Sequence, residues 1–167
     1  MSITNYAELE TAIADFLNRD DLAAVIPTFV KLAEADMNRR LRHWRMESRS
    51  TALLDTRYTA LPQNFIDAVR LQITGPDGVQ RLELITNSEL MDKRQATDVA
   101  ATPRFYLIQD SAIEVYPAPD QDYDLEMTYI ASLPQLQTNS TNWLITYHPD
   151  CYLYLSLIHI SEPTRLD

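Results

Sequence analysis

Only two glycines occur in 167 residues, and both fall in one stretch, Gly75-Pro76-Asp77-Gly78. A phosphate-cradling loop or a dinucleotide fingerprint needs several glycines at fixed spacing, because only glycine lets the backbone approach a phosphate so closely. Neither pattern fits. The two glycines suit one tight turn between strands instead, a task that falls to Gly and Pro for steric reasons.

The remaining composition narrows the choices further. The net charge is −10, from 14 basic and 24 acidic residues. That balance opposes broad, non-specific duplex binding, which relies on Lys and Arg to displace counterions. Lys31 and Lys93 are the only lysines, and arginine supplies the other positive charges. The single cysteine excludes an intrachain disulfide and a Cys-rich zinc site. No run of about 18 apolar residues exists, so no membrane span is expected. The start, Met1-Ser2-Ile3-Thr4-Asn5-Tyr6, lacks a charged region followed by an apolar one, and the chain reads as intracellular at synthesis.

Periodicity predicts an α+β fold with helices segregated from an antiparallel sheet of hairpins. Residues 5–17 form a first helix, with Asn5 and Glu8 at capping-box spacing and Tyr6, Leu9, Ile13, Phe16 and Leu17 on one stripe. Residues 18–21 make a turn. A second helix covers about 22–42, broken or restarted at Pro27, with Ile26, Phe29, Val30, Ala33, Met37 and Leu41 facing inward. The two helices pair antiparallel along a shared seam. A β-rich region follows over about 45–133. It holds a strand at 46–54 and another at 65–74, with Val69, Leu71 and Ile73 on one face. The partner strand runs over 79–85. A short helix at 88–94 is capped by Asn87 or Ser88. A second hairpin joins 104–109 to 112–116, and a last strand covers 125–131. Residues 134–142 read as loop, and a C-terminal helix starts near Pro149.

Candidate chemistry is sparse. His43, His148 and His159 form no His-x-x-x-His pair. Cys151 and His148 share a helical face by spacing, yet Pro149 intervenes and no third group orients them. Asp120, Asp122 and Asp124 alternate like the start of an EF-hand, but its sixth position is Leu125 and its twelfth Ala131. No metal or cofactor is expected. Arg39, Arg40, Arg42, His43 and Arg45 make the one dense basic cluster. It exceeds what a helix C-terminus needs, and reads as a docking face for an acidic surface or for DNA. Trp44 within it either anchors an interface or packs on the core, and core packing is the default expectation.

The chain as a whole resembles the head–tail adaptor proteins of tailed bacteriophages, the tail-tubular-protein-A-like and connector family. Four segments carry this resemblance, over about residues 3–154. They are Tyr6-Ala7-Glu8-Leu9 leading to Asp20-Asp21-Leu22; Ile26-Pro27-Thr28-Phe29 leading to Asn38-Arg39-Arg40-Leu41-Arg42; Leu61-Pro62-Gln63-Asn64-Phe65, with Asn where the family has Asp; and Asn142-Trp143-Leu144 with His148-Pro149-Asp150-Cys151-Tyr152-Leu153-Tyr154. The resemblance implies a non-enzymatic virion protein, made in the host cytoplasm. It would form a ring, twelve-fold in relatives, between portal and tail or nozzle protein, with DNA passing through the lumen. Arg39, Arg40, Arg42, Arg45 and Trp44 would then dock the portal or a neighbouring subunit. A generic intracellular binding module, or a small hydrolase using Cys151 or His148, is the alternative.

Residues 155–165, Leu-Ser-Leu-Ile-His-Ile-Ser-Glu-Pro-Thr-Arg, resemble translated sequencing-adaptor sequence rather than any protein family. The expectation is therefore a single native domain over 1–154, its C-terminal helix (149–154) cut short, followed by a non-native tail at 155–167.

Overall fold

A computed structural model describes residues 3–18 and 24–161, and the predicted turn at 18–21 lies mostly outside them. The chain divides into two compact units. One takes residues 1–42 and 133–167; the other is the uninterrupted stretch 43–132.

The first unit is helical. Helix α1 (Tyr6–Leu17) starts at Asn5, whose side chain accepts from the Glu8 N–H at 3.0 Å. The other half of the predicted capping box differs: Glu8 Oε2 accepts from the Thr4 N–H and hydroxyl, not from Asn5. Leu9 and Ile13 are fully buried, whereas Phe16 of the predicted stripe is exposed. Helix α2 (Ile26–Arg40) carries Pro27 in its first turn, where no intrahelical N–H bond is lost. Ile26, Val30, Ala33 and Met37 are buried on it as the periodicity requires. Helix α6 (Pro149–Ser161) packs mainly on α2 and also on α1. The seam between α1 and α2 is smaller than the one either makes with α6, so the predicted helix pair is completed by a third helix.

Two short helices lead into α6. Helix α4 (Leu136–Asn139) occupies a stretch predicted as loop, and α5 (Trp143–Tyr147) lies between that stretch and the predicted helix start near Pro149. Asn142 organises this region. Its Oδ1 accepts from the Leu144 and Ile145 N–H groups, both at 3.0 Å, capping α5. Its Nδ2 donates to the Pro134 carbonyl at 2.9 Å and to the Tyr152 hydroxyl at 2.7 Å. Two α2 side chains hold the same segment: Glu34 accepts from the Leu136 N–H at 2.8 Å, and Asn38 from the Leu133 N–H at 2.9 Å.

The second unit holds two four-stranded sheets. The first has the order β1-β8-β3-β4 and is antiparallel throughout, built from β1 (Glu47–Leu54), β8 (Tyr123–Ala131), β3 (Phe65–Gly75) and β4 (Gly78–Arg81). The second has the order β2-β7-β6-β5, from β2 (Tyr58–Ala60), β7 (Ala112–Tyr116), β6 (Phe105–Gln109) and β5 (Glu83–Leu84). Its β5–β6 pair is parallel, the one departure from the antiparallel expectation. Leu71, Ile73, Leu82, Tyr106, Ile113, Val115, Leu125 and Met127 share the core of this unit.

The glycine turn forms as predicted. Gly75 pairs with Gly78, which sits at φ +96°. A Cβ on Gly75 would lie 2.6 Å from the Tyr123 ring. Three details differ. Register shifts between Phe65 and Asp67 and between Ala68 and Arg70 turn Val69 outward, so only Leu71 and Ile73 of the predicted face are buried. The predicted strand 79–85 breaks at Leu82, where the chain passes from one sheet to the other. Helix α3 (Asn87–Ala96) is capped by Thr86, one residue before the predicted cap, in a full capping box with Glu89.

Candidate functional site

The predicted basic cluster falls on both sides of the boundary between the units. In the helical unit, Arg39 and Arg40 end α2 and share one carboxylate. Asp36 Oδ1 lies 3.2 Å from Arg39 and 3.0 Å from Arg40. The Asp36 side chain is largely buried while both arginines project into solvent. Arg42 turns back on the helix end, its Nη1 donating to the carbonyls of Leu41 at 2.8 Å and Asn38 at 3.1 Å. This arginine therefore caps α2, as cations at a C-terminus do. Beside Arg40, the residues Met37, Leu41, Leu144 and Cys151 line an open apolar pocket of about 260 Å³.

In the sheet unit, His43, Trp44 and Arg45 lead into β1. His43 Nδ1 accepts from the Arg45 N–H at 3.2 Å, capping a single 3-10 turn over Trp44–Met46. The expected core placement of Trp44 is overturned: the residue is 68% exposed. Met46, two residues on, fills the buried position instead. The Arg45 guanidinium lies 5.0 Å from the Trp44 ring centroid, and the His43 ring lies 5.5 Å from it, tilted by 34°. The guanidinium and the indole thus meet in a cation–π contact at the surface.

The catalytic alternatives lose ground on geometry. His148 ends α5 through its backbone, its N–H donating to the Leu144 carbonyl at 2.7 Å. Burial pushes the Cys151 thiol up, the reverse of what an activated nucleophile needs. Asp120 accepts from the Tyr123 hydroxyl at 2.7 Å and fixes the loop before β8. Among the described residues no three His, Cys, Asp or Glu side chains converge as a metal site, and no helix is long and apolar enough to cross a membrane.

The resembling segments also have local roles. Asn64 Oδ1 accepts from the Tyr129 hydroxyl at 3.0 Å, and Phe65 stacks on Tyr129 at 5.8 Å. Either Asp or Asn offers that acceptor, which explains why Asn can stand at this step. The fourth segment is the Asn142–Tyr152 network. A family model for the SU10 adaptor protein matches residues 4–165. The chain belongs to the SU10 adaptor protein family. It is thus a phage adaptor protein by family. No curated protein matches the adaptor.

Two observations bear on the tail of this adaptor. The family match extends across 155–165, and α6 continues through that string to Ser161. Within it, the buried Ser156 Oγ and His159 Nε2 lack hydrogen-bond partners among the described residues.

Proposed function

We propose that this protein is a head-to-tail adaptor of the virion, assembling as a ring between portal and tail through which DNA passes. Family membership over residues 4–165 carries the reading. The composition agrees with it. At −10, the chain would repel DNA phosphates from a lumen and keep them from sticking in transit. A ring subunit also needs no glycine-rich loop and no activated thiol.

Within this reading, Arg39 and Arg40 of the helical unit, and separately Arg45 and Trp44 of the sheet unit, dock acidic surface on the portal or a neighbouring subunit, and Arg42 supports the first pair by closing α2. Solvent-facing guanidiniums beside an apolar pocket, and an exposed indole under Arg45, support that role. Portal rings mixed with the protein and imaged by electron microscopy should show added density at the tail-facing end. Arg39→Glu, Arg40→Glu and Arg45→Glu together should abolish co-sedimentation with portal. Undiminished co-sedimentation would remove these residues from the interface.

A further inference from the structure

A second basic surface lies in the sheet unit, built from arginines outside the Arg39–Arg45 run. β4 pairs with β3 only from Gln72 to Gly75, then leaves toward the other sheet at Leu82. Where it leaves, among the described residues no strand lies along that side of residues 66–70 of β3. An open groove of about 750 Å³ remains there, lined by Arg70, Arg81 and Arg104 with Leu84 and Phe105. Among the described residues, Glu83 is the one acidic side chain lining it. Val69 and Leu84 expose 46% and 62% of their surface at its edge.

These arginines stand out against their surroundings. Stretch 43–132 holds eight basic and fourteen acidic residues. Most of its other cations are engaged internally: Arg49 with Glu126, Arg57 with Asp98, Arg94 with Glu114, and Lys93 over Phe105. Arg70 reaches Glu126 only at 3.8 Å. Among the described residues, Arg81 and Arg104 have no acidic partner. Exposed apolar side chains between unpaired guanidiniums have the composition of an unfilled interface.

The same unit carries the complement. Leu54 of β1 pairs with Tyr123, and Thr74 of β3 with Asp124, so Asp55, Asp77, Asp122 and Asp124 gather at one end of the first sheet. All four are exposed. This acidic end lies four residues along β3 from Arg70, roughly 13 Å at the strand rise. We propose that the arginine groove of one copy receives the acidic sheet end of the next copy, a head-to-tail contact that repeats around an assembly. Two different patches of one subunit meeting in this way generate rings when the rotation closes. DNA fits the groove less well. Glu83 stands within it and the unit around it is acidic, so a polyanion meets repulsion that a small carboxylate cluster avoids.

The inference rests on the ring reading, and charge reversal separates the two. Light scattering of the full chain is compared with Arg81→Glu/Arg104→Glu, with Asp122→Arg/Asp124→Arg, and with all four changes in one chain. Each double variant should raise the concentration for half-assembly by roughly a hundredfold, since like charges then face each other. The fourfold variant should assemble again, because its reversed groove meets a reversed end. Circular dichroism melting of each variant establishes that it is folded. Double variants that assemble like the unaltered chain, or a folded fourfold variant that stays monomeric, overturn the contact while leaving the ring intact. Loss of duplex DNA binding with assembly unchanged in Arg81→Glu/Arg104→Glu overturns it in favour of a nucleic-acid groove. An unaltered chain that is monomeric at every concentration, with or without portal, overturns both.

Discussion

The Asn142 amide donates to the Tyr152 hydroxyl at 2.7 Å, ten residues apart in sequence and out of reach of water. The phenol is fully buried and its pKa is driven upward, chiefly by that burial. One side chain thus satisfies the start of α5, the Pro134 carbonyl and the tyrosine of α6.

Asn142→Ala removes two cap bonds and strands a buried hydroxyl, so it should destabilise the protein by about 3 kcal/mol. Tyr152→Phe leaves the cap intact and should cost only about 1 kcal/mol. Urea titration followed by circular dichroism distinguishes them. Equal losses in the two variants would show that the cap contributes nothing.

Glu34 predicts a pH dependence. Burial raises its pKa, opposed by the Leu136 N–H and by Lys31. Tyr6 and Tyr152 also feel its charge. A carboxyl with a raised folded-state pKa contributes its full stability below its unfolded value, and that contribution is lost as pH rises through the folded value. Glu34→Gln keeps an acceptor for Leu136 and cannot ionise. Its unfolding midpoint should therefore equal that of the unaltered protein near pH 4 and exceed it increasingly toward pH 8. A constant difference across that range would contradict the assignment.

The turn glycines should fail for different reasons. Gly75→Ala drives a methyl into Tyr123, which is held by Thr102 and Asp120 and has little room to give. A loss of about 2 kcal/mol is expected. Gly78→Ala has open space around it but must hold φ +96°, costing about 1 kcal/mol. Adding Tyr123→Leu should relieve most of the first penalty and none of the second, as double-mutant cycles by thermal melting would record.

Ser156 offers the opposite sign. Its Oγ is buried without a partner among the described residues, so Ser156→Ala should stabilise the protein by about 1 kcal/mol. A native hydroxyl role in α6 would instead appear as a lower melting temperature.

Residues whose partners lie nearby in sequence were readable; residues whose surroundings are assembled from afar were not. Asn5, Pro27 and the Gly75–Gly78 turn act within four positions, and each appears where the pattern puts it. Thr86, Asn87 and Ser88 are three consecutive capping residues, and the choice of Thr86 follows from Glu89 reaching its N–H at 2.8 Å. Val69 fits its alternation, but the bulge beside it is set by pairing with β8. The parallel β5–β6 pair leaves no local trace, because two residues carry no period. The Arg39–Arg45 run was visible as a run. The exposure of Trp44 was not, since Met46 competes for the same inward position. Arg70, Arg81 and Arg104 are scattered, and only the departure of β4 brings them together.

The division of the chain also sets an order of events during synthesis. Everything the paired sheets require lies in one uninterrupted stretch, complete once residue 132 has left the ribosome. The helical unit is different, because α6 must return to α1 and α2 across more than a hundred intervening residues. Until then, Val30, Ala33 and Met37 of α2 have no α6 to cover them. The nascent chain therefore carries a finished β-rich body tethered to an uncovered helix, and this interval is when a chaperone has something to hold.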